Sequence, residues 1–243
     1  MYSTVEDISV KRRTEQVVKI VAHLPITDNT VIDIGCGTGS QALAISHIVE
    51  SVVGIDVRED SIKEAQRSRI ESNASVEFIM ADAEYLPFRN SCCDTATMLE
   101  ALEHVQNQDT VLREIWRVLR DSGYLILSVP NKLYPLEMHY VKIGKVVLHG
   151  ICGSVPFFSW LPHIVRKKFE TARIYTKKEI MDIIQRNGFL IHQVQYSPYP
   201  RLDRIGSKKL SKFLDRFFVH VENNTFFARF GMSIVMLAQK RQT

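Results

Sequence analysis

The stretch Val31-Ile32-Asp33-Ile34-Gly35-Cys36-Gly37-Thr38-Gly39 decides the reading of this chain. Apolar, β-branched positions around one acid make a short buried strand. Three alternating glycines follow, and then a helical run, Ser40-Gln41-Ala42-Leu43-Ala44-Ile45. Glycine at a strand-to-helix turn permits positive φ and lets a ligand approach the backbone. Amides at the helix start beyond it favour polar or anionic groups. The plainer alternative is a tight βα turn that binds nothing. One loop glycine is common, whereas three alternating ones behind a strand are not.

The dinucleotide fingerprint G-x-G-x-x-G/A fits Gly35 and Gly37 but meets Ser40 at its third position. The glycines instead run G-x-G-x-G, with Asp33 two residues ahead of the first. This pattern resembles motif I of the class I S-adenosylmethionine (SAM) dependent methyltransferases. The resemblance implies an α/β fold: a doubly wound, mostly parallel seven-stranded sheet of Rossmann-like type with a helical cap insertion. It also implies SAM as cofactor, with Asp33, Gly35, Cys36, Gly37 and Gly39 among its contacts. SAM has no pyrophosphate and carries a cationic sulfonium and an α-amino group. An acid at the strand end suits such a ligand and would repel a pyrophosphate.

A chain of 243 residues, 45% hydrophobic and 24% charged, is an ordinary soluble composition with enough core to fold without staples. We expect one domain over 1–243, with a SAM-binding core at 25–130 and a substrate cap from 131–170 and 198–230. Cys36, Cys92, Cys93 and Cys152 form no C-x-x-C pair and no zinc spacing. Reduced cysteines and an N-terminus without an apolar h-region point to the cytoplasm. No run of 18 apolar residues suggests a spanning helix. The net charge of +4 is unevenly spread. Residues 1–130 hold 20 Asp and Glu against 12 Lys and Arg; residues 131–230 hold 17 Lys and Arg against 7 Asp and Glu. The second half therefore suits an acidic or membrane-associated partner.

In chain order, 7–24 reads as a helix ended by Pro25, either packing on the sheet or covering a ligand. Strands follow at 30–35 and 51–56, with a helix at about 39–49 between them. A surface helix spans 59–72 with Ile62, Ala65 and Ile70 inward, and a third strand spans 76–81. Asp56 lies about 20 residues past the glycine turn, where an acid accepts ribose hydroxyls. In the resembled family that is the role of this strand-end acid, with Val57 beside it. An acid at Asp82, followed by Ala83, implies contact with the adenine amino group; a turn or cap residue is the alternative. Leu86-Pro87-Phe88 resembles the family's lead into strand four, here 93–99. Asp33, Asp56, Asp82 and Glu100 all fall at carboxyl ends of strands, where doubly wound sheets bind ligands.

Glu100, Glu103 and His104 stand at i, i+3 and i+4, one face if the segment is helical. E-x-x-E-H resembles a divalent-metal motif of ubiquinone-pathway O-methyltransferases, and two carboxylates with an imidazole suit Mg²⁺ or Zn²⁺. The alternatives are Glu100 and His104 as polar or basic groups at the acceptor, or structure alone. A helix at 109–120 turns Leu112, Ile115, Trp116 and Leu119 inward, and Asp121-Ser122-Gly123 stops it. Strand five is 124–129, broken by Pro130-Asn131.

Residues 132–170 exceed a βα connection. They hold Tyr134, Tyr140, Phe157, Phe158, Trp160 and Phe169 beside Arg166-Lys167-Lys168. In small-molecule members of the resembled family an insertion here sits over the acceptor; an oligomer contact is the alternative. Glu137 and His139 offer a further general base. A capping box at Thr176–Glu179 opens a helix that Gly188 ends. Strand six is 189–196 and a last strand is 231–239, which in the resembled family inserts antiparallel beside strand six. A helix at 205–222 has an apolar face and a basic surface, either buried or peripheral at an anionic membrane.

The Asn/Asp-Pro-Pro-aromatic motif of amino-group methyltransferases acting on DNA is absent, as is a Pro-Cys dipeptide. The expectation is therefore a SAM-dependent enzyme that methylates oxygen or carbon of an apolar, anionic small molecule resembling a quinone precursor. A protein or RNA methyltransferase docking through the basic half, and a non-catalytic SAM-binding regulator, are the alternatives.

Overall fold

The computed structural model describes residues 4–26, 29–134, 136–137, 141–143, 146–148, 155–156, 160, 172–197 and 225–242. Runs of Val and Ile bounded by Gly, Asn and Asp make the inner strands, which are buried on both faces as in a covered parallel sheet. In order come α1 (Thr4–Ala22), β1 (Thr30–Ile34), α2 (Ser40–Ile45), β2 (Ser51–Asp56), α3 (Glu59–Ser72) and β3 (Val76–Met80). Then follow β4 (Cys93–Leu99), α4 (Gln108–Val118) and β5 (Leu119–Pro130), and four short strands, β6 (Leu136–Glu137), β7 (Val141–Ile143), β8 (Val146–Leu148) and β9 (Val155–Pro156). The chain closes with α5 (Lys177–Arg186), β10 (Phe189–Tyr196), α6 (Thr225–Ala228) and β11 (Ser233–Lys240).

Seven strands form one sheet in the order β10-β11-β5-β4-β1-β2-β3. β1 pairs in parallel with β2 on one side and β4 on the other, and β2–β3 and β4–β5 are parallel too. The chain leaves β1 in one direction and returns to its other side at β4. That reversal opens a crevice at the carboxyl ends of β1 and β4. β11 runs antiparallel to β10. Ser197 N at the end of β10 donates to Ser233 O at the start of β11, and Arg241 N donates to Gly188 O at the opposite ends. Val17 and Val21 of α1, Ile45 of α2, and Ile62 and Ala65 of α3 pack on Val31, Val52 and Phe78 in one apolar cluster.

The chain divides into two compact units. One comprises Thr14–Val129, Lys178–Gln195 and Val235–Thr243; the other comprises Met1–Arg13, Pro130–Lys177 and Tyr196–Ile234. In the latter, β6 pairs antiparallel with β9, and β7 with β8. Where described, the insertion after β5 carries β ribbons; the rest of it, with Tyr140, Phe157, Phe158 and Phe169, lies outside the described residues. Four of the six residues of β7 and β8, Val141, Ile143, Val146 and Val147, are β-branched, which favours strands. Asn131, 4% exposed, anchors this unit: its Nδ2 donates to Arg229 O and Gly231 O at 2.8 and 2.7 Å. The expected helix at 205–222 lies outside the described residues. Among the described residues no helix is long and apolar enough to cross a membrane.

Three expectations within the first unit are corrected. Ile70 is 72% exposed; α3 buries only Ser61, Ile62 and Ala65, all in its first two turns. Trp116 is only half-buried; one ring face carries Lys240 Nζ at 4.0 Å, a cation–π contact. Asp121-Ser122-Gly123 does not stand outside the strands. β5 begins at Leu119, and between the pairs Cys93–Leu119 and Thr95–Tyr124 it bulges through these residues, with Ser122 at φ +61°.

Candidate functional site

The crevice holds a cleft of about 720 Å³ within the first unit, in the range of nucleoside-sized ligand sites. It is lined by Gly35, Gly37, Asp56, Val57, Asp82, Ala83, Glu100 and His104 from the sequence reading. Ile55, Arg58, Ala81, Glu84, Tyr85, Met98, Ala101, Val105 and Gln106 complete the lining.

The three glycines serve two purposes. Gly35 takes φ +73°, and a Cβ there would lie 2.6 Å from Ala101 Cβ. Gly39, at φ +86°, would drive a Cβ into the Phe78 ring at 2.6 Å. Both are demanded by packing. Gly37 takes φ +54° and a Cβ there would meet nothing within 4 Å, so its bare face borders the cleft. Gly35 N and Cys36 N both donate to Ile55 O, which ties the loop to β2.

Asp56 is turned toward this loop. Its Oδ2 accepts from Gly37 N at 3.0 Å and its Oδ1 from Arg58 N at 2.9 Å. The carboxylate is thereby oriented, and each oxygen keeps a lone pair for a vicinal ribose hydroxyl. Asp33 lies beneath the loop and not on the cleft wall. Its Oδ1 accepts from Thr97 Oγ1 at 2.6 Å, while Oδ2 is buried and has no hydrogen-bond partner among the described residues. Burial raises the Asp33 carboxyl from its ordinary 3.8 to about 6; the Thr97 bond opposes this and the Asp56 charge adds to it. Cys36 and Gly39 are likewise behind the wall. Burial, then the charges of Asp33 and Asp56, push the Cys36 thiol up, so it stays protonated and unreactive.

Asp82 is exposed at the cleft edge, its Oδ1 accepting from Glu84 N at 2.9 Å. The segment behind it is clamped from α4. Glu114 Oε2 accepts from Leu86 N at 2.9 Å, and Arg117 donates to Phe88 O at 2.7 Å, to Leu86 O at 3.0 Å and to Glu114. The Arg117 hydrogen bonds hold the Glu114 carboxyl below its usual range.

The segment Glu100–His104 is not helical. Glu100 takes φ +50°, and residues 102–104 form a turn closed by His104 N to Ala101 O. A left-handed residue at the first position breaks the i, i+3, i+4 geometry, so the three side chains do not share a helical face. Glu100 and His104 reach the cleft. The Glu103 side chain is fully buried, with Oε1 3.9 Å from His104 Nε2. Among the described residues no group of three His, Cys, Asp or Glu is placed to hold a metal ion. His139 lies outside the described residues. Sequence reasoning missed Arg58 and Tyr85, two and three residues beyond the strand-end acids; their signal was proximity to Asp56 and Asp82.

The residues present fit SAM. An orphaned anionic oxygen lies below a bare glycine backbone, an oriented carboxylate stands at the second strand end, and an acid stands at the third. Fold and cleft together define a nucleoside-binding α/β protein of the Rossmann-like methyltransferase class. The profile of the family described as "Methyltransferase domain" matches residues 32–127. A ubiquinone biosynthesis O-methyltransferase from Thiobacillus denitrificans is 32% identical over 74% of this chain and 73% of that protein. An uncharacterized protein of Methanocaldococcus jannaschii is 32% identical over 65% of this chain, and the match spans 61% of its own length. The structure of a SAM-dependent methyltransferase from Methanosarcina mazei superposes with a TM-score of 0.63 at 20% identity, covering 92% of this chain and 98% of that one. This chain belongs to the class I SAM-dependent methyltransferases and resembles their ubiquinone-pathway members.

Proposed function

We propose that this enzyme methylates a hydroxyl oxygen of an apolar, anionic small molecule of quinone-precursor type. The observation that carries the reading is the His104 imidazole on the cleft wall, with the buried Glu103 carboxylate 3.9 Å behind it. A carboxylate there favours the imidazolium that forms when His104 takes a hydroxyl proton. SAM supplies a methyl group on a leaving group already activated by positive charge. Asp33, the Gly35–Gly39 loop and Glu100 would hold its methionine end, Asp56 with Val57 its ribose, and Asp82 with Ala83 its adenine. The protein's own contribution is orientation and exclusion of water. The name of the Thiobacillus relative supports an oxygen acceptor. The basic segments 131–170 and 198–230 are proposed as the acceptor cap, their Lys and Arg holding its anionic end.

Turnover of methyl-labelled SAM against separate lipid, protein and RNA extracts, with and without chelator, tests this. Label in an alkali-stable lipid-soluble ether, retained with chelator, is the expected result. Label on carbon corrects the atom; label in RNA or protein overturns the acceptor class. SAM binding without turnover points to a regulator.

A further inference from the structure

We propose that Ser128 is the positioning residue for Glu100, and that this pair presents a fixed carboxylate to the cationic methionine end of SAM. The inference rests on the cofactor reading above and adds a residue that does not line the cleft. β4 and β5 pair through Leu99–Ser128, and Glu100 N makes the next rung by donating to Ser128 O at 3.0 Å. The chain then turns through Glu100 at φ +50°. Glycine or asparagine adopts that region readily, whereas glutamate is strained in it. The same turn sets Ala101 against Gly35, where a Cβ would lie 2.6 Å away. A glutamate at a position that favours glycine needs a reason that lies in its side chain.

That side chain is held by the same residue that holds its backbone. Ser128 Oγ donates to Glu100 Oε1 at 2.7 Å, a short charge-assisted bond. Ser128 is 0% exposed and sits among Leu125, Ile126, Leu127 and Val129, all buried. A hydroxyl in such a run is costly unless it is bonded, and here it is bonded to the carboxylate. One residue thus fixes main chain and carboxylate together, on the cleft that Gly35 and Gly37 also line. Two acids at this end match the two cationic centres of the ligand, the α-ammonium and the sulfonium. A carboxylate locked before binding loses no rotamer freedom when the ligand arrives.

Calorimetry with SAM on wild type, Ser128→Ala, Glu100→Ala and the double variant tests this, with Asp56→Ala as an independent background. Ser128→Ala is expected to weaken SAM about five- to tenfold, Glu100→Ala about tenfold or more. The double variant should bind no worse than Glu100→Ala, while Ser128→Ala and Asp56→Ala should multiply. That pattern is coupling between Ser128 and Glu100, which general loosening of the sheet does not produce. Equal loss from Ser128→Ala in the wild-type and Glu100→Ala backgrounds overturns the proposal, as does a folded Ser128→Ala with unchanged affinity. Should Ser128→Ala fail to fold, Ser128→Cys, near in size and a weak donor, is read by the same criteria. Wild-type protein that binds no SAM overturns the cofactor reading itself, an outcome distinct from those above.

Discussion

Asp33, beneath the glycine loop, carries a strongly perturbed carboxyl, and its charge state is a property of single atoms. Its carboxyl is raised from 3.8 to about 6, first by burial. Between these values the folded chain keeps a proton that the unfolded chain has lost. The stability contributed by Asp33 is therefore full below about pH 4 and lost as pH rises through 6. A cationic ligand works the other way, because it selects the ionised form. SAM affinity should fall as pH drops below about 6, and binding near pH 6 should release a proton. Calorimetry in two buffers of different ionisation enthalpy reads that proton directly, and Asp33→Asn should abolish it. At the ribose end, Asp56→Ala should weaken SAM by about 1–3 kcal/mol through loss of charge-assisted hydrogen bonds. An unchanged dissociation constant in the folded variant would remove Asp56 from the site. NADH should bind far more weakly than SAM, since Asp33 and Glu100 oppose a pyrophosphate.

At the level of the element, the β1–α2 turn separates packing from binding within five residues. Gly35→Ala places a Cβ 2.6 Å from Ala101 at φ +73°, so it should destabilise the fold by about 1–3 kcal/mol and distort the site. Gly37→Ala meets nothing within 4 Å and should cost only about 1 kcal/mol of backbone strain, yet lose most SAM affinity. Thermal melts beside binding isotherms check the contrast; a Gly37→Ala protein that binds SAM normally would show that the ligand does not approach this loop. The turn was legible because glycine spacing reports backbone demand directly. β1 and β2 were legible because buried parallel strands are nearly continuous apolar runs. Segment 100–104 stayed open in the sequence since i, i+3, i+4 spacing is necessary for a shared face but says nothing of φ at Glu100. The β7–β8 ribbon was not legible because its strands are three residues each, too short for a period-2 pattern to stand out. Glu103 shows the remaining gap: spacing placed it beside His104, and only the fold buries it beneath the cleft wall.

On the scale of the whole molecule, charge and fold divide the chain in similar places. The unit that carries the cleft draws mostly on the acidic first 129 residues; the other draws on the basic stretch after Pro130. That stretch has 17 Lys and Arg against 7 Asp and Glu, with Arg166-Lys167-Lys168 adjacent in sequence. Trp160, nearby in sequence, is 51% exposed, with its Nε1 donating to Leu133 O at 3.3 Å and Leu133 itself 38% exposed. We propose that this stretch, whose sequence holds Trp160 and a run of three cations, meets an anionic lipid surface. Replacing Arg166, Lys167 and Lys168 together by serine should weaken binding to phosphatidylserine vesicles by about 1 kcal/mol per charge at low salt. The loss should shrink as ionic strength rises and the Debye length contracts. Trp160→Ala should lower the partition by an amount that salt leaves unchanged, because its contribution is apolar. SAM affinity should be unaltered in both variants, since the residues lining the cleft all belong to the other unit. Sedimentation with vesicles at two salt concentrations separates the two contributions. Wild-type protein that stays in the supernatant at low salt would remove the membrane from this account and leave the basic residues to the acceptor's anionic end alone.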